Sequence, residues 1–214
     1  MSAAREDILG RIAASTAPPN APRPEPPSYR RTGERSMDER VALFCERVDD
    51  YKAEVQRIAA ARIANVVADA CHSRGAQRLV VPRGLPPSWR PAGLELVDDD
   101  ALTPRELNGF DAVVTGCTIA IAETGTIVLT SGSREGRRAI SLVPDLHVCI
   151  VEQEQIVELV PEAIERLAEL VARERRPVTF VSGPSATSDI ELDRVEGVHG
   201  PRNLVILVAT EESP

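Results

Sequence analysis

The chain has 214 residues, of which 43% are hydrophobic, 27% are charged and only 3% are aromatic. That length fits one globular domain with an appended segment, and such a chain buries enough surface to need no disulfide or metal. Acidic side chains outnumber basic ones by 33 to 25, and the resulting net charge of −8 argues against nucleic-acid binding. No apolar run approaches the roughly 20 residues that span a bilayer, and no signal-peptide pattern starts the chain. We therefore expect a cytoplasmic protein without a membrane span.

The N-terminal region predicts a helical arm on a stiff spacer. In residues 3–14, Ile8, Leu9 and Ile12 fall on one face of a helix, and that stripe needs a partner unless the terminus frays. Six of the ten residues from 18 to 27 are proline, which favours an extended, semi-rigid spacer. We divide the chain into a helical arm (1–16), a proline-rich linker (17–35) and an α/β domain (36–210).

The rest of the chain alternates helical and strand patterns. Helical periodicity runs through 41–48 and again from Ile58 to Ala70, and residues 53–57 fit either a strand or a continued helix. Short apolar or β-branched runs predict strands at 78–81, 94–97, 111–115, 126–130, 146–151, 178–182 and 203–208. The clearest helix is 160–173, with the apolar stripe Val160, Ile164, Leu167, Leu170 and Val171. This alternation predicts an α/β fold, a single domain with a largely parallel sheet.

The four cysteines give no sign of a metal site. Cys45, Cys71, Cys117 and Cys149 are far apart and form no CxxC or CxxxC pair, which argues against a cluster or zinc site built from this chain alone. Each has apolar neighbours, which favours buried side chains.

A first candidate loop contains Glu123-Thr124-Gly125-Thr126 just before a predicted strand. A carboxylate at such a turn can act as a general base, a nucleophile or an acceptor for a ligand hydroxyl. The structural alternative is that Glu123 caps or pins the turn while the threonines satisfy backbone groups.

A second candidate loop carries small residues and paired arginines, followed by an acid and a histidine. Its residues of interest are Ser131, Gly132, Arg137, Arg138, Asp145 and His147. Arginine suits bidentate binding of a carboxylate or phosphate. His147 directly precedes a buried stretch, where a histidine is either a catalyst or a structural side chain with its hydrogen bonds satisfied.

A third candidate loop is rich in hydroxyl groups. It contains Ser182, Gly183, Ser185, Thr187, Asp189 and, further on, His199 between glycines. Such a loop can present backbone N–H and hydroxyl groups to an anion, although it lacks the P-loop pattern. Because functional loops of α/β sheets gather at the carboxyl ends of strands, we expect the three loops to meet in one pocket there.

Together these motifs resemble the LUD-domain family over roughly residues 36–210. The resemblance is carried by Glu123-Thr124-Gly125-Thr126, Ser131-Gly132, Gly136-Arg137-Arg138, Pro144-Asp145-x-His147, Ser182-Gly183-Pro184-Ser185-x-Thr187-x-Asp189-Ile190-Glu191 and Gly197-x-His199-Gly200-Pro201. It implies a fold similar to that of the ribose-phosphate isomerase, glucosamine-phosphate deaminase and CoA-transferase superfamily.

The resemblance also implies a role. It points to one of three proteins encoded together that allow growth on L-lactate by oxidising it to pyruvate, the other two carrying iron–sulfur clusters. The lack of CxxC motifs fits the component without a cluster of its own. On this hypothesis Arg137 or Arg138 holds the lactate carboxylate, His147 or His199 accepts the hydroxyl proton, and the electron acceptor lies in the partners. The remaining loop residues line the substrate site, namely Thr124, Gly125, Thr126, Ser131, Gly132, Asp145, Ser182, Gly183, Ser185, Thr187 and Asp189.

Two other functions stay open. The chain could be a stand-alone enzyme that acts on an acyl-CoA or a phosphorylated metabolite, with Glu123 as nucleophile or base by analogy with the superfamily. It could also be a non-catalytic scaffold that stabilises the two iron–sulfur proteins.

Overall fold

A computed structural model of the protein describes residues 3–15, 28–188, 194–196 and 200–211. The α-helices in these ranges are α1 (Ala3–Ser15), α2 (Met37–Asp50), α3 (Ile63–His72), α4 (Pro104–Leu107) and α5 (Val160–Glu174). The β-strands in the same ranges are β1 (Glu54–Ala59), β2 (Arg78–Val81), β3 (Glu95–Asp98), β4 (Ala112–Gly116), β5 (Ile119–Ile121), β6 (Thr126–Leu129), β7 (Leu146–Glu152), β8 (Ile156–Val157), β9 (Thr179–Val181), β10 (Ala186–Ser188), β11 (Arg194–Glu196) and β12 (Asn203–Thr210).

The main sheet has six parallel strands in the order β1-β12-β7-β4-β2-β3. Its central strands β4, β7 and β12 are buried almost throughout, as expected for a parallel sheet covered on both faces. The predicted α/β fold with a largely parallel sheet is therefore confirmed. None of the helices in the described ranges is long and apolar enough to cross a membrane.

Four layers build the domain. Helix α3 packs on one face of the main sheet through an apolar cluster that includes Val67 and Val148. The opposite face is covered by α2 and by a second, four-stranded sheet in the order β8-β5-β6-β9, through contacts of residues such as Phe44 and Ile127. Helix α5 covers the outer face of that second sheet with Ala163 and Leu167.

Two sequence predictions need correction. Residues 54–59 form a strand, so Ile58 is not helical as predicted; the parallel ladder with β12 holds it extended, and α3 begins only at Ile63. The predicted loop before Thr126 contains β5, which pairs with β6 and β8. In α5 the apolar stripe is only partly buried, since Leu167 is inside while Ile164 is 50% exposed.

The N-terminal region has two described parts. Helix α1 has no buried residue, and Ile8, Leu9 and Ile12 are each at least half exposed. The proline-rich stretch lies outside the described residues. Residues 28–35, which we call the strap, lie against the domain, where the buried Glu158 carboxylate accepts the backbone N–H groups of Glu34 (2.8 Å) and Arg35 (2.7 Å).

Candidate functional site

Five of the predicted site residues line one cavity of about 250 Å³, which we call the Arg138 pocket. They are Arg138, His147, Ser182, Gly183 and Ser185. The pocket lies beside the first residues of β7 and β12, so it opens at the amino ends of these strands. The expectation of a single pocket at the carboxyl ends was wrong, because the three loops contribute to two cavities and a turn.

Arg138 brings a positive charge into this pocket. It begins a short 3-10 turn (Arg138–Ser141), and its Nη1 donates a hydrogen bond to Ser141 Oγ at 3.0 Å. Burial lowers the pKa of Arg138, but a guanidinium remains protonated in proteins. Within the described residues no carboxylate lies within 4.0 Å of it. The pocket therefore offers a partly buried cation to an anionic ligand.

His147 forms the inner wall of the pocket. Its Nε2 lies 2.7 Å from Thr115 Oγ1 on the adjacent strand β4, and the side chain is almost fully buried. Burial, and next the nearby positive charge of Arg138, lower the pKa of His147 to about 4. The imidazole is therefore neutral at pH 7, and an anion bound to Arg138 would remove part of the cause of that shift.

Hydroxyl contacts connect the Glu123–Thr126 turn to the pocket. Thr126 Oγ1 lies 2.7 Å from Thr124 Oγ1 and 2.7 Å from Ser182 Oγ, which lines the pocket. Gly125 has φ +57°, and a Cβ there would lie 2.7 Å from the carbonyl carbon of Arg47 in α2. This turn therefore supports the pocket wall from behind, and its glycine allows α2 to approach.

Glu123 itself points away from the Arg138 pocket. Its carboxylate is 47% exposed and accepts a hydrogen bond at 3.0 Å from Nη2 of Arg30 in the strap. The structure thus places the carboxylate against a segment that precedes the α/β domain.

A second cavity, of about 420 Å³, collects Ser131, Gly132 and Arg137, and we call it the Arg137 cleft. It lies at the carboxyl ends of β2 and β3. Arg137 donates to both carboxylate oxygens of Asp99, from Nε at 2.7 Å and from Nη2 at 2.5 Å. This bidentate bond lowers the pKa of Asp99. Arg137 and Arg138 are adjacent in the chain but enter different cavities. Of the two, only Arg137 has its charge neutralised by a described carboxylate.

Glu135 is a buried residue that the sequence analysis missed. Its carboxylate accepts the N–H groups of Thr130 (2.5 Å) and Gly132 (3.0 Å) and a short hydrogen bond from Thr118 Oγ1. These bonds fix the loop that precedes Arg137 and Arg138. The available signal was a single acidic residue in a stretch of glycine, serine and arginine.

The other predicted residues lie at the edge of this region or beyond the description. Asp145 accepts hydrogen bonds from Arg202 Nε (2.6 Å) and Asn203 Nδ2 (3.3 Å) outside the Arg138 pocket. Thr187 lies in β10, and Asp189 and His199 lie outside the described residues.

The four cysteines are free thiols, most of them in the interior of the domain. Cys71, Cys117 and Cys149 are buried and Cys45 is half-buried. Burial raises the pKa of the Cys71 thiol to about 11. In the part of the chain that the structure describes, no group of three or more His, Cys, Asp or Glu side chains could hold a metal ion.

Comparison with known proteins identifies the family. Residues 41–209 match the LUD domain family. The chain is 46% identical over 188 residues to "Lactate utilization protein C" of Deinococcus radiodurans, covering 87% of each chain, and 26% identical to the protein of the same name in Halalkalibacterium halodurans, covering 86% of this chain and 85% of that one. It also superimposes, with a TM-score of 0.72 and 38% identity, on the crystal structure of a DUF162 family protein from Deinococcus radiodurans, covering 83% of this chain and all of the other. The resemblance read from the loop motifs is confirmed: the chain belongs to the LUD domain family.

Proposed function

We propose that this protein takes part in L-lactate utilization, as the component that binds the small carboxylate substrate in a multi-protein iron–sulfur system oxidising lactate to pyruvate. Relatives that carry the name lactate utilization protein C support the role in lactate utilization. One observation carries the proposal for the site: Arg138 brings a cation without a described carboxylate partner into a pocket of about 250 Å³.

The pocket offers what a 2-hydroxy acid needs for binding. The Arg138 guanidinium pairs with the carboxylate, and the hydroxyl groups of Ser182 and Ser185 on the facing wall hydrogen-bond to the ligand hydroxyl or carboxylate. The neutral imidazole of His147 lies on the inner wall. Its pKa of about 4 makes it a weak base, and a carboxylate bound beside Arg138 would offset the smaller of the two causes of that shift, while burial, the larger cause, would remain.

The oxidation requires an acceptor outside this chain. Converting lactate to pyruvate removes a hydride equivalent from C2 and a proton from the hydroxyl group, so a second group has to accept the electrons. The described cysteines are buried or half-buried, and among the described residues no group of three or more His, Cys, Asp or Glu side chains could hold a metal ion. We therefore propose that iron–sulfur partner proteins supply the clusters, and that this chain binds and orients the substrate.

The direct test is binding of L-lactate and pyruvate to the isolated protein, measured by calorimetry or by chemical-shift titration. Arg138→Gln should weaken binding about tenfold to a hundredfold, because a charge-assisted hydrogen bond contributes about 1.5–3 kcal/mol. Arg137→Gln is the matched control, because the Arg137 guanidinium is bound to Asp99 in the other cavity. Equal binding by wild type and Arg138→Gln would contradict the proposed site.

A second test addresses the role of the chain in the system. Lactate-dependent dye reduction by the two expected iron–sulfur partners is measured with and without this chain. The proposal predicts that activity needs the chain and falls with Arg138→Gln but not with Arg137→Gln. Activity that needs the chain but is indifferent to Arg138 would favour the scaffold, and a covalent adduct on Glu123 would favour the acyl-CoA enzyme.

A further inference from the structure

The strap and helix α5 leave an apolar groove on the surface. The groove has a volume of about 640 Å³ and is lined by Tyr29, Arg31 and Thr32 on one side and by Val160, Ile164 and Ala168 of α5 on the other. Tyr29 is 58% exposed and Ile164 is 50% exposed. Large apolar side chains that are grouped in a groove mark a docking surface more often than isolated ones do.

Helix α1 presents the complementary surface. Ile8, Leu9 and Ile12 lie on one side of a 13-residue helix and are 56%, 50% and 53% exposed. An amphipathic helix of this kind buries its stripe in a groove of another element. Charges flank both partners: Asp7 and Arg11 lie beside the stripe of α1, while Glu165 and Arg31 line the α5 groove. Asp7 and Arg11 pair with each other at 3.9 Å, so ion pairs across the contact would replace this exposed pair.

The length of the segment between α1 and the strap determines whether α1 meets the α5 groove of its own chain or that of another copy. The strap is fixed to the domain at Glu34 and Arg35, so the chain departs from the groove itself at Tyr29. The sequence from 18 to 27, with its six prolines, predicts a stiff spacer of about 31 Å, at about 3.1 Å per residue. Helix α5, with 15 residues, is only about 22 Å long. If it is extended as the sequence predicts, a spacer of that length is longer than α5 and would carry α1 beyond its own groove.

We propose that α1 of one copy docks in the α5 groove of a second copy, and that the second copy returns the same contact. This arm exchange gives a symmetric dimer in which both exposed apolar stripes are covered. The inference concerns assembly and goes beyond the proposed substrate binding.

The first measurement is the molar mass of the full chain in solution, by light scattering from micromolar to hundred-micromolar concentration. We expect a dimer whose dissociation constant rises at least tenfold in the double variant Ile8→Asp/Ile12→Asp and in Ile164→Glu. Ala14→Asp, on the opposite side of α1, and Arg166→Glu, on the outer side of α5, are the controls and should dimerise like wild type. A monomer at all concentrations, or a dimer that ignores the stripe variants, would overturn the proposal.

A mixing experiment tests whether α1 of one copy can reach the α5 groove of another. A tagged arm-defective chain (Ile8→Asp/Ile12→Asp) still has an intact groove, and an untagged groove-defective chain (Ile164→Glu) still has an intact arm. The two should capture each other through one remaining contact, while neither captures itself. If α1 binds a different protein, the mixed pair will not form and the proposal fails. If α1 docks on its own α5, the wild-type chain is a monomer at all concentrations in the first measurement, which also overturns the proposal.

Discussion

At the level of single residues, the burial of His147 couples the stability of the protein to pH. The folded state lowers the pKa of this imidazole from 6.5 to about 4. Between these values the unfolded chain binds more protons than the folded one, so stability falls as pH decreases through this window and is fully regained above about pH 6.5. The shift corresponds to roughly 3 kcal/mol of stability, lost by about pH 4.

Replacing His147 should therefore flatten the acid limb of the stability curve. We expect His147→Asn to lose less of its free energy of unfolding between pH 7 and pH 4.5 than wild type does, because asparagine cannot become protonated there. Urea unfolding at a series of pH values measures this. His72→Asn, at an exposed position at the end of α3, is the control and should keep the wild-type slope. Parallel curves for wild type and His147→Asn would contradict the assignment of this dependence to His147.

At the level of elements, the buried Glu158 carboxylate holds the strap on the domain, assisted by Glu162, which accepts the N–H of Gly33 at 3.2 Å. Glu158 accepts the N–H groups of Glu34 and Arg35 and pairs with the Arg35 guanidinium at 2.6 Å. The backbone N–H of Arg35 is the largest cause that lowers the pKa of Glu158. Arg30 of the strap also donates a hydrogen bond to Glu123, the candidate nucleophile. The position of this arginine therefore depends on the attachment at Glu158.

Removing the charge of Glu158 should release the strap. We expect Glu158→Gln to reduce the free energy of unfolding by about 1–3 kcal/mol, the usual range for hydrogen bonds to a charged group. It should also speed trypsin cleavage after Arg30, Arg31 and Arg35 in the native protein. Glu154→Gln, on an exposed turn nearby, should change neither quantity. Native cleavage at an unchanged rate would show that other contacts hold the strap.

At the level of the whole molecule, the two cavities are separate units. Arg137→Gln leaves the almost fully buried Asp99 carboxylate without its bidentate partner, so it should reduce stability by about 1–3 kcal/mol. Arg138→Gln removes no ion pair and should reduce carboxylate affinity instead. The two side chains share no described partner. The double variant should therefore lose as much stability as Arg137→Gln and as much carboxylate affinity as Arg138→Gln. Urea unfolding and calorimetry of the three variants measure this, and a large deviation from additivity would mean that the cavities communicate.

The same pair of arginines shows how far sequence reasoning reaches. Strands such as β2 and β7 could be predicted because short runs of β-branched and apolar residues are typical of buried strands. Helix α5 could be predicted because its apolar residues have helical spacing. The three residues of β5 were missed because they are embedded in a loop pattern and are extended only through pairing with β6 and β8. Candidate residues could be found by type, but neighbours in the chain such as Arg137 and Arg138 enter different cavities, and only tertiary packing decides which.

The amino-edge position of the Arg138 pocket also determines how molecules can come and go. The Arg137 cleft opens at the carboxyl ends of β2 and β3, whereas the Arg138 pocket opens at the amino ends of β7 and β12. A large partner that covers the carboxyl edge therefore leaves the entrance of the Arg138 pocket free. Small molecules can therefore enter and leave the Arg138 pocket while the carboxyl edge is covered.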